Sequence, residues 1–510
     1  MSRKLVEHFC LRRARSDAPY HCGRGGARHS VRAILGPTLV ALILATSCAR
    51  FHPKPLSPEK TAADFESRSL TNENLRAFFE TNHVTIPDAN DSWDLKQLTL
   101  VAFYYQPALA ESRAQLLVAQ AAEITAGQHP NPSVSVDPGY DWQIPGNFSP
   151  WLVPVTTDIP IETAGKRGKR VSQSEHLAES ARWDLVGAVW QVRSQIRTAL
   201  LNLYSSRETL ALASQQETAQ SNVVRLLEGQ LAAGSISGFE VTQARTALAT
   251  TQLARQDAVG KSNQALVDLA HALGVSTHAL SDVNFSFAPF EDFPEELTQP
   301  DVRREALLQR ADVRGALADY AASQSALQLE IANQYPNLDI GPGYEWNNGN
   351  VGDSMFTLGA TVTLPIFNQN QGPIAEAEAK RTQAAAHFLK IQSDAIAEID
   401  GALAGYHAAL QQVATAKDLR DSSQKRLDSF RAQAKAGELE PQEVATAEVE
   451  FATTSQDRLN ALVQAQQALG KLEDAVQNPL TLPKEVLEVA VPRQPAAKEH
   501  KKSSKKEIAK

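Results

Sequence analysis

The stretch HPNPSVSVDPGYDW at residues 129–142 decides the fold, because a similar stretch, YPNLDIGPGYEW, occurs at residues 335–346. The Pro-Asn pairs of the two stretches are 206 residues apart, and their Pro-Gly-Tyr-x-Trp patterns are 204 residues apart. Internal repeats reveal the architecture of a chain more firmly than local propensities do. The pair therefore predicts that one supersecondary unit occurs twice.

Two further pairs of segments keep nearly the same offset. TTDIPIETAGKR at 156–167 matches TVTLPIFNQNQG at 361–372, and LAAGSISGFEVTQARTAL at 231–248 matches AKAGELEPQEVATAEVEF at 434–451. All the offsets lie between 203 and 206 residues. We infer an internal two-fold sequence repeat, in which each half runs as helix, strand, strand, long helix, turn and helix.

The composition favours long helices and excludes several functional classes. Hydrophobic residues make up 43% of the 510 residues but aromatic residues only 6%, which is typical of long helices rather than of a thick globular core. The net charge of −8 lacks the positive field that nucleic-acid binding needs, so we expect no nucleic-acid partner. The 12 histidines show no metal-ligand spacing and no catalytic motif is present, so we expect no metal, no cofactor and no enzymatic activity.

The N-terminal segment has the pattern of a secretory signal that ends before Cys48. Arg32 precedes an apolar run, and small residues separate that run from Cys48. The pattern predicts a signal peptide over residues 1–47 and lipidation of Cys48, with an ordinary signal and an incidental cysteine as the alternative. We expect residues 1–30 to lie upstream of the true translation start and to be part of the sequence only because the start was assigned wrongly.

The strand MFTLGATVTLPI at residues 355–366 alternates with a period of two. Its apolar face holds Phe356, Leu358, Ala360, Val362 and Leu364, and its small or polar face holds Thr357, Gly359, Thr361 and Thr363. This alternation is typical of a barrel strand between lipid and a wet lumen, and a half-buried strand of a soluble sandwich is the alternative. An aromatic girdle near the tips of the two predicted β-hairpins favours the barrel. Its members are Tyr140, Trp142, Trp151, Tyr344 and Trp346.

Four strands per chain cannot close a membrane barrel, for which about eight strands is the minimum. An open sheet edge in lipid would leave backbone groups without hydrogen-bond partners. Several copies of the chain are therefore expected to share one barrel.

Two stretches without internal proline, about 171–233 and 373–436, keep an apolar spacing of three and four residues. They predict helices of roughly 95 Å that pack as coiled coils. Gly234 and Gly437 end these helices, and the next helices start after Ser237 and Pro441, so each pair forms a hairpin.

The first helix of the repeat is expected to start at Ser92, as its N-cap.

The duplication, the paired glycine turns and the strand end LPIFNQNQG at 364–372 resemble the outer membrane efflux protein family, the TolC-like exit ducts of tripartite pumps and type I secretion systems. The resemblance covers about residues 92–475. Within the family, HPNP at 129–132, GKRGKR at 165–170 and FNQNQG are most similar to the cobalt-zinc-cadmium (CzcC-like) heavy-metal branch. The chain departs from that branch at Thr163-Ala164-Gly165, where two glycines typically precede Lys-Arg.

The resemblance implies a mixed fold. Three chains would form a trimeric 12-stranded outer-membrane β-barrel, with four strands per chain, continued by a long α-helical periplasmic barrel of coiled-coil hairpins. It also implies the partners: outer membrane lipid, a periplasmic adaptor (membrane fusion protein) and an inner-membrane RND transporter.

The resemblance further implies which residues carry function. The adaptor-contact motif of the family maps onto the two tips, at Ala233, Gly234, Val241, Ala436, Gly437 and Val444. The alternative is that the glycines only permit the turns and the valines only pack the hairpins. Glu240 and Glu443 are candidates for the periplasmic constriction, where rings of acids would favour cations. Their alternative is a helix N-terminal glutamate stabilised by the helix dipole.

A basic cluster, Lys166, Arg167, Lys169 and Arg170, directly follows a predicted membrane strand. That position suits contact with lipid phosphates at the inner membrane interface. A plain solvated helix start is the alternative.

The predicted organisation is a signal peptide (1–47), a lipidated tether with a short helix (48–91), the first repeat (92–280), a linker (281–300), the second repeat (301–478) and a disordered lysine-rich tail (479–510). The predicted function is a passive exit duct of an RND-type pump for heavy-metal cations or small toxic compounds. The duct would be lipid-anchored in the cell outer membrane and extend into the periplasm. A type I secretion or drug-export duct and, in a different class, a structural coiled-coil envelope protein are the alternatives.

Overall fold

The computed structural model describes residues 51–87, 91–140, 142–143, 151–294, 304, 306–347 and 355–479. Its contacts divide the chain into two units, Met1–Ala62 and Ala63–Lys510. The first described helix is α1 (Pro58–Glu66). The predicted signal peptide, the predicted lipidation site Cys48 and the predicted tail from residue 480 onward lie outside the described residues.

The second unit is mostly helical and contains one antiparallel sheet. Before the sheet lie α2 (Glu73–Thr81), α3 (Leu95–Tyr105) and α4 (Pro107–Ala126). The strands β1 (Ser133–Val136), β2 (Gly139–Tyr140) and β3 (Trp151–Ile161) lead into α5 (Lys166–Ala232) and α6 (Gly238–Leu273). After α7 (Ala311–Ala332), the strands β4 (Leu338–Asn347) and β5 (Met355–Val362) lead into α8 (Gln371–Ala436) and α9 (Pro441–Val476).

The two long helices have 67 residues (α5) and 66 residues (α8), which at 1.5 Å per residue makes each about 100 Å long. Each begins after a residue in the left-handed conformation, Gly165 at φ 68° and Asn370 at φ 61°. Glycine, and to a lesser degree asparagine, adopts this conformation at little cost. The returning helices α6 and α9 both have 36 residues, so each long helix and its return form a helical hairpin.

The helices of the second unit form a layer around α5, which packs against α4, α6, α7 and α9, while α8 packs against α7 and α9. α4 and α6 meet end to end, where Gln106 Nε2 donates to the Ala272 carbonyl at 3.0 Å. α7 and α9 also meet end to end, where Arg310 Nη1 donates to the Ala475 carbonyl at 2.6 Å. The neighbour order is therefore α4 with α6, then α5, then α7 with α9, then α8.

The sheet has the order β1–β3–β4–β5, with all pairs antiparallel. β2 also pairs with β3, so β1 and β2 are one arm of the sheet interrupted at Pro138. Proline has no backbone N–H to donate to the neighbouring strand. The four strands expected of the chain are therefore four arms, the first of them divided. Among the described residues, the first arm and β5 each pair on one side only.

The largest hydrophobic core surrounds the middle of α5. It includes Leu98 of α3, Ile196 and Leu200 of α5, and Leu269 of α6. Phe79 of α2 is also fully buried there, so the segment predicted as a tether contributes to the core.

One boundary prediction is corrected near this core. The helix α3 is capped by Asp94 and not by Ser92, because Asp94 and Gln97 form a reciprocal capping box, with Asp94 Oδ1 accepting from the Gln97 N–H at 2.7 Å. The described part of the predicted linker at 281–300 packs against this core, since Phe285 and Phe290 are buried in it.

Arg68 joins the ends of two helices at the edge of this core. Its Nη1 donates to the Tyr105 carbonyl at 3.0 Å and to the Gly274 carbonyl at 2.6 Å, at the C-termini of α3 and α6. A cation is favourable at a helix C-terminus. Gly274 has φ 73°, and a Cβ at this position would lie 2.9 Å from the Tyr105 carbonyl oxygen.

We expect Gly274→Ala to lower the thermal stability of the protein strongly, because alanine adds left-handed strain of about 1–2 kcal/mol and also overlaps the Tyr105 carbonyl. Gly234→Ala is the matched control, since Gly234 also has φ 73° but has no atom within 4 Å of its Cβ position. Heat-induced loss of helical circular dichroism would measure both variants. Equal losses in the two variants would contradict the packing argument.

Candidate functional site

The two hairpin tips present the same backbone turn. Gly234 follows the C-cap of α5 with φ 73°, and Gly437 is itself the C-cap of α8 with φ 79°. The Gly437 N–H donates to the Ala434 carbonyl at 3.1 Å. Ala233 and Ala436 are both exposed beside these glycines. The small residues of both tips are thus accessible.

The two valines of the tip motif are less accessible than the small residues. Val241 is only 2% exposed and packs with Val224, Leu227 and Ala244 between α5 and α6. Val444 is half-buried. The side chain of Val241 therefore packs the hairpin, and its predicted contact with an adaptor stays a prediction.

The constriction candidates Glu240 and Glu443 are both exposed in the first turns of α6 and α9. Ser237 Oγ donates to Glu240 Oε1 at 3.3 Å. Both positions also suit the positive end of a helix dipole, so the structure of one chain is compatible with both interpretations.

The sheet is exposed on both of its faces at its edges. All four residues of β1 and all eight of β5 are exposed. Phe356 is 70% exposed on the apolar face of β5, and Thr357 is exposed on the opposite face. Within the described part of the chain no second sheet covers either face, so the alternative of a half-buried sandwich strand is not supported.

Three of the aromatic residues form one cluster at the end of β2 and β3 that is remote from the helices. The Tyr140 ring lies 4.8 Å from the Trp142 ring and 5.2 Å from the Trp151 ring, measured between ring centroids. Trp142 is 88% exposed, although large aromatic side chains are usually covered. Tyr344 is exposed on β4, and the backbone of Trp346 pairs with Val153 near the same end of the sheet.

The basic cluster lies where the sheet passes into the helices, and its side chains bind protein groups. Lys166 is buried, and its Nζ donates to the Tyr335 carbonyl and to Asn337 Oδ1, both at 2.6 Å. Burial lowers the pKa of Lys166. Lys169 Nζ donates to Gln328 Oε1 at 2.6 Å. These contacts attach the start of α5 to the end of α7.

The two arginines of the cluster attach α5 to the end of α4. Arg167 Nε donates to the Gly127 carbonyl at 2.6 Å, and Arg170 Nε donates to the Ala126 carbonyl at 3.0 Å. Arg170 also binds Glu162 with two hydrogen bonds, which hold the pKa of that carboxyl below its usual range. The interpretation of a plain solvated helix start therefore does not describe this cluster, and its proposed contact with lipid phosphates stays a prediction.

A buried polar network between α5 and α9 was missed by the sequence analysis. We call Arg193, Arg197, Gln466 and Glu473 the Glu473 network. Arg193 Nη2 lies 3.0 Å and Arg197 Nε 3.3 Å from Glu473 Oε2, and the side chains of Arg193 and Glu473 are 1% and 0% exposed. Arg197 Nη2 donates to Gln466 Oε1 at 2.9 Å.

The surroundings of this network are closely packed. A Cβ at Gly470 would lie 2.5 Å from Arg197 Nη1, so a larger residue there would require the Arg197 guanidinium to shift. Burial lowers the pKa of Arg197 and raises the pKa of the neighbouring Asp474, which accepts from Trp190 Nε1 and Ser194 Oγ. The sequence holds a signal for the network, since Arg193 and Arg197 interrupt the apolar positions of α5 at a spacing of four.

Among the described residues, no group of three or more His, Cys, Asp or Glu side chains could hold a metal ion. None of the helices described is long and apolar enough to cross a membrane.

Comparisons with curated proteins give two relatives of stated function. The chain is similar to the cobalt-zinc-cadmium resistance protein CzcC of Cupriavidus metallidurans, with 26% identity over 234 residues, which are 46% of this chain and 54% of that protein. It is also similar to the pyoverdine export outer membrane protein OpmQ of Pseudomonas aeruginosa, with 29% identity over 174 residues, which are 32% of this chain and 36% of that protein. The chain spans about half or less of the length of these relatives.

Solved structures share the fold over most of the chain. The outer membrane protein VceC of Vibrio cholerae matches with a TM-score of 0.61 and 19% identity, covering 76% of this chain and 96% of that one. CusC, whose crystal structures concern transmembrane channel formation, matches with a TM-score of 0.60 and 18% identity, covering 84% of this chain and 99% of that one.

The family model described as outer membrane efflux protein matches residues 104–275 and 302–476, which together include both helical hairpins and the five described strands. The protein therefore belongs to the outer membrane efflux protein family, which is a family of efflux proteins and not of enzymes.

Proposed function

We propose that the protein is the passive exit duct of a tripartite, RND-type efflux pump, built as a homotrimer in the outer membrane. The observation that carries this proposal is the open sheet. Its two outer arms lack a partner on one side among the described residues, and its faces are exposed. In lipid, unpaired edges are too costly, so β5 of one copy must pair with the first arm of the next. Three copies of four arms would close a 12-stranded barrel.

The helical layer supports the same closure. Its neighbour order ends with α4 and α6 on one side and with α8 on the other. Because both long helices follow directly on strands of the sheet, closing the sheet brings these two edges of neighbouring copies together as well. The result is a helical tube that continues the barrel into the periplasm.

The internal repeat is a second part of the proposal. The left-handed residues Gly165 and Asn370 are 205 positions apart, and the tip glycines Gly234 and Gly437 are 203 apart. Each half would then supply one hairpin of strands and one hairpin of helices. A trimer built this way presents six similar tips.

The proposed partners follow from the two ends of the molecule. A periplasmic adaptor would contact the exposed small residues of the tips and couple the duct to an inner-membrane RND transporter. Outer membrane lipid would contact the apolar face of β5 and the Tyr140–Trp142–Trp151 cluster. We also propose a lipid anchor on Cys48, on the residue pattern that precedes it.

The proposed cargo is heavy-metal cations or small toxic compounds, because CzcC is named a cobalt-zinc-cadmium resistance protein. The likeness to the pyoverdine export protein OpmQ favours a second candidate, a duct for a small organic molecule. A structural envelope protein is the least supported alternative, because its sheet would have no need for two exposed faces.

The purified protein is expected to be a trimer in detergent and to give discrete single-channel conductance in planar bilayers. Its intact mass is expected to correspond to a chain that begins at a lipidated Cys48, and the Cys48→Ser variant should carry no lipid. A monomer that never inserts into the bilayer would overturn the duct.

The double variant Glu240→Gln with Glu443→Gln is expected to lower the cation-over-anion permeability ratio severalfold, because it removes the carboxylates that attract cations at the tip. Glu376→Gln is the matched control, since Glu376 is an exposed glutamate at the opposite end of the helices, paired with Lys380 at 2.6 Å. Reversal potentials in a salt gradient would measure the ratio. An unchanged ratio in the double variant would assign both glutamates to helix-end stabilisation.

Deletion of the gene is expected to lower the minimal inhibitory concentrations of cobalt, zinc and cadmium salts, with restoration by the wild-type gene. Loss of siderophore secretion with unchanged metal tolerance would instead support the small-organic cargo.

A further inference from the structure

The two halves of the chain have similar apolar residues where their helices pack. With an offset of 203 residues, Leu269 of α6 corresponds to Leu472 of α9, and both are fully buried. With the same offset, Ile196 of α5 corresponds to Ile399 of α8, and both are again fully buried. Apolar packing alone therefore cannot distinguish α6 from α9, or α5 from α8.

This similarity gives the proposed trimer two equivalent kinds of helix contact. In the own-chain seam α5 packs against α9. In the copy-to-copy seam α8 of one copy would meet α6 of the next. Leu253 and Val267 of α6 are 67% and 44% exposed, and their counterparts in α9 are Gln456 and Gly470. Both counterparts face α5, since Gln456 Nε2 lies 3.2 Å from Thr209 Oγ1 and Gly470 adjoins Arg197.

The two seams differ at the Glu473 network. The residues at the equivalent positions of α8 and α6 include no cation, so they cannot form the same ion pairs. For Arg193, Arg197, Gln466 and Glu473 they are, in this order, Ile396, Asp400, Asn263 and Ala270. The network therefore marks the own-chain seam alone.

The own-chain seam is unsuited to α6 in place of α9. Ala270 would stand at the position of Glu473, so two buried guanidinium groups would lose their carboxylate. An unpaired buried charge is strongly unfavourable. Val267 would stand at the position of Gly470, where a Cβ would lie 2.5 Å from Arg197 Nη1 and the buried guanidinium would have to shift. Charge and shape both oppose α6 at this seam.

The copy-to-copy seam is equally unsuited to α9. Glu473 would face Ile396 and Asp400 of α8, which stand at the positions of the two arginines. A carboxylate that is buried against an apolar side chain and a second carboxylate is unfavourable. At the same positions α6 supplies Val267 and Ala270, which add no charge to the seam.

We propose that the Glu473 network is the pairing determinant of the helical tube. It admits α9 to α5 and excludes α6 of another copy, so that the two hairpins of one chain stay together and α6 and α8 are left for neighbouring copies. The inference rests on the proposed function, because the second seam exists only in a closed ring of copies. Arg193, Arg197, Gln466 and Glu473 are positioning residues, since they select helices and touch no cargo.

Three pairs of cysteine substitutions report which helices are adjacent. Thr209→Cys with Gln456→Cys reports the own-chain seam and should link only within one chain. Gln412→Cys with Leu253→Cys, the equivalent pair in the repeat, reports the copy-to-copy seam and should give covalent trimers. Thr209→Cys with Leu253→Cys reports α6 on α5 and should give no link between chains.

The links are made in detergent with a short bis-methanethiosulfonate reagent, and the products are separated by mass without reductant. The full sequence has three native cysteines, so each single substitution is treated in parallel as a control for links through them.

Replacing the network by apolar side chains tests its role in pairing. The variant Arg193→Met, Arg197→Met and Glu473→Leu removes three charges and leaves none of them unpaired. It should keep its helical circular dichroism but show the Thr209–Leu253 link between chains, while the Thr209–Gln456 link declines. A role in stability alone would not move a link from one helix to another. A folded variant without the Thr209–Leu253 link would overturn the proposal.

A second variant covers the case in which the apolar variant fails to fold. Gly470→Val gives α9 the side chain that α6 carries at the equivalent position and changes no charge. The Thr209–Gln456 link should decline severalfold, because the new Cβ displaces the Arg197 guanidinium. Gly405→Val should keep the full link, because Gly405 is also inside a helix but has no atom within 4 Å of its Cβ position. Equal links in the two variants would contradict the exclusion of α6.

The same crosslinks separate this inference from the proposed function. A protein that is monomeric in detergent and gives no Leu253–Gln412 link would reject the trimer, and with it the pairing role. A trimer that gives the same links with and without the network would reject the pairing role and leave the duct intact.

Discussion

The requirement that every strand edge find a hydrogen-bond partner governs this structure. Each chain has four arms of sheet, exposed at both faces and open on the outer sides of its first arm and β5 among the described residues. The open edges of such a sheet would be too costly in lipid, and for that reason we propose that other copies of the chain pair with them. The sheet also determines the order of the long helices, because each long helix follows a strand and the order of the helical layer follows the order of the sheet.

Hydrogen bonds at the junction between the sheet and the helices fix the helices relative to the strands. Arg167 and Arg170 bind the carbonyls that end α4, and Lys166 binds the carbonyl of Tyr335 just past α7. Cations at helix C-termini are favourable, and here one helical turn supplies them to two neighbouring helices. The start of α5 therefore sets the positions of the helices on both of its sides.

Much of the architecture could be predicted from sequence, because its signals are local and periodic. The alternation of β5, the proline-free stretches of α5 and α8 and the glycine turns at Gly234 and Gly437 all lie in the structure where the patterns put them. The features that the sequence analysis missed or placed wrongly depend on the choice between several possible hydrogen-bond partners. Those partners are either distant in sequence or equally suitable and close by. Asp94 displaced Ser92 as a helix cap because only Asp94 stands three residues before Gln97. The Glu473 network joins residues about 280 positions apart, and no local pattern pairs Arg193 with one acid among many.

The equal lengths of the returning helices restrict how this protein can change during evolution. α6 and α9 both have 36 residues and return from turns of similar geometry. One residue inserted into a helix rotates everything beyond it by about 100°. An insertion in the first hairpin alone would turn Glu217 and Glu228 of α5 away from Arg255 and Arg245 of α6, with which they form ion pairs. It would also leave the tip of that hairpin at a different level from the other tip. A change in the length of the helical hairpins is therefore tolerated only when it preserves the rotation of the helices and is made in both hairpins at once.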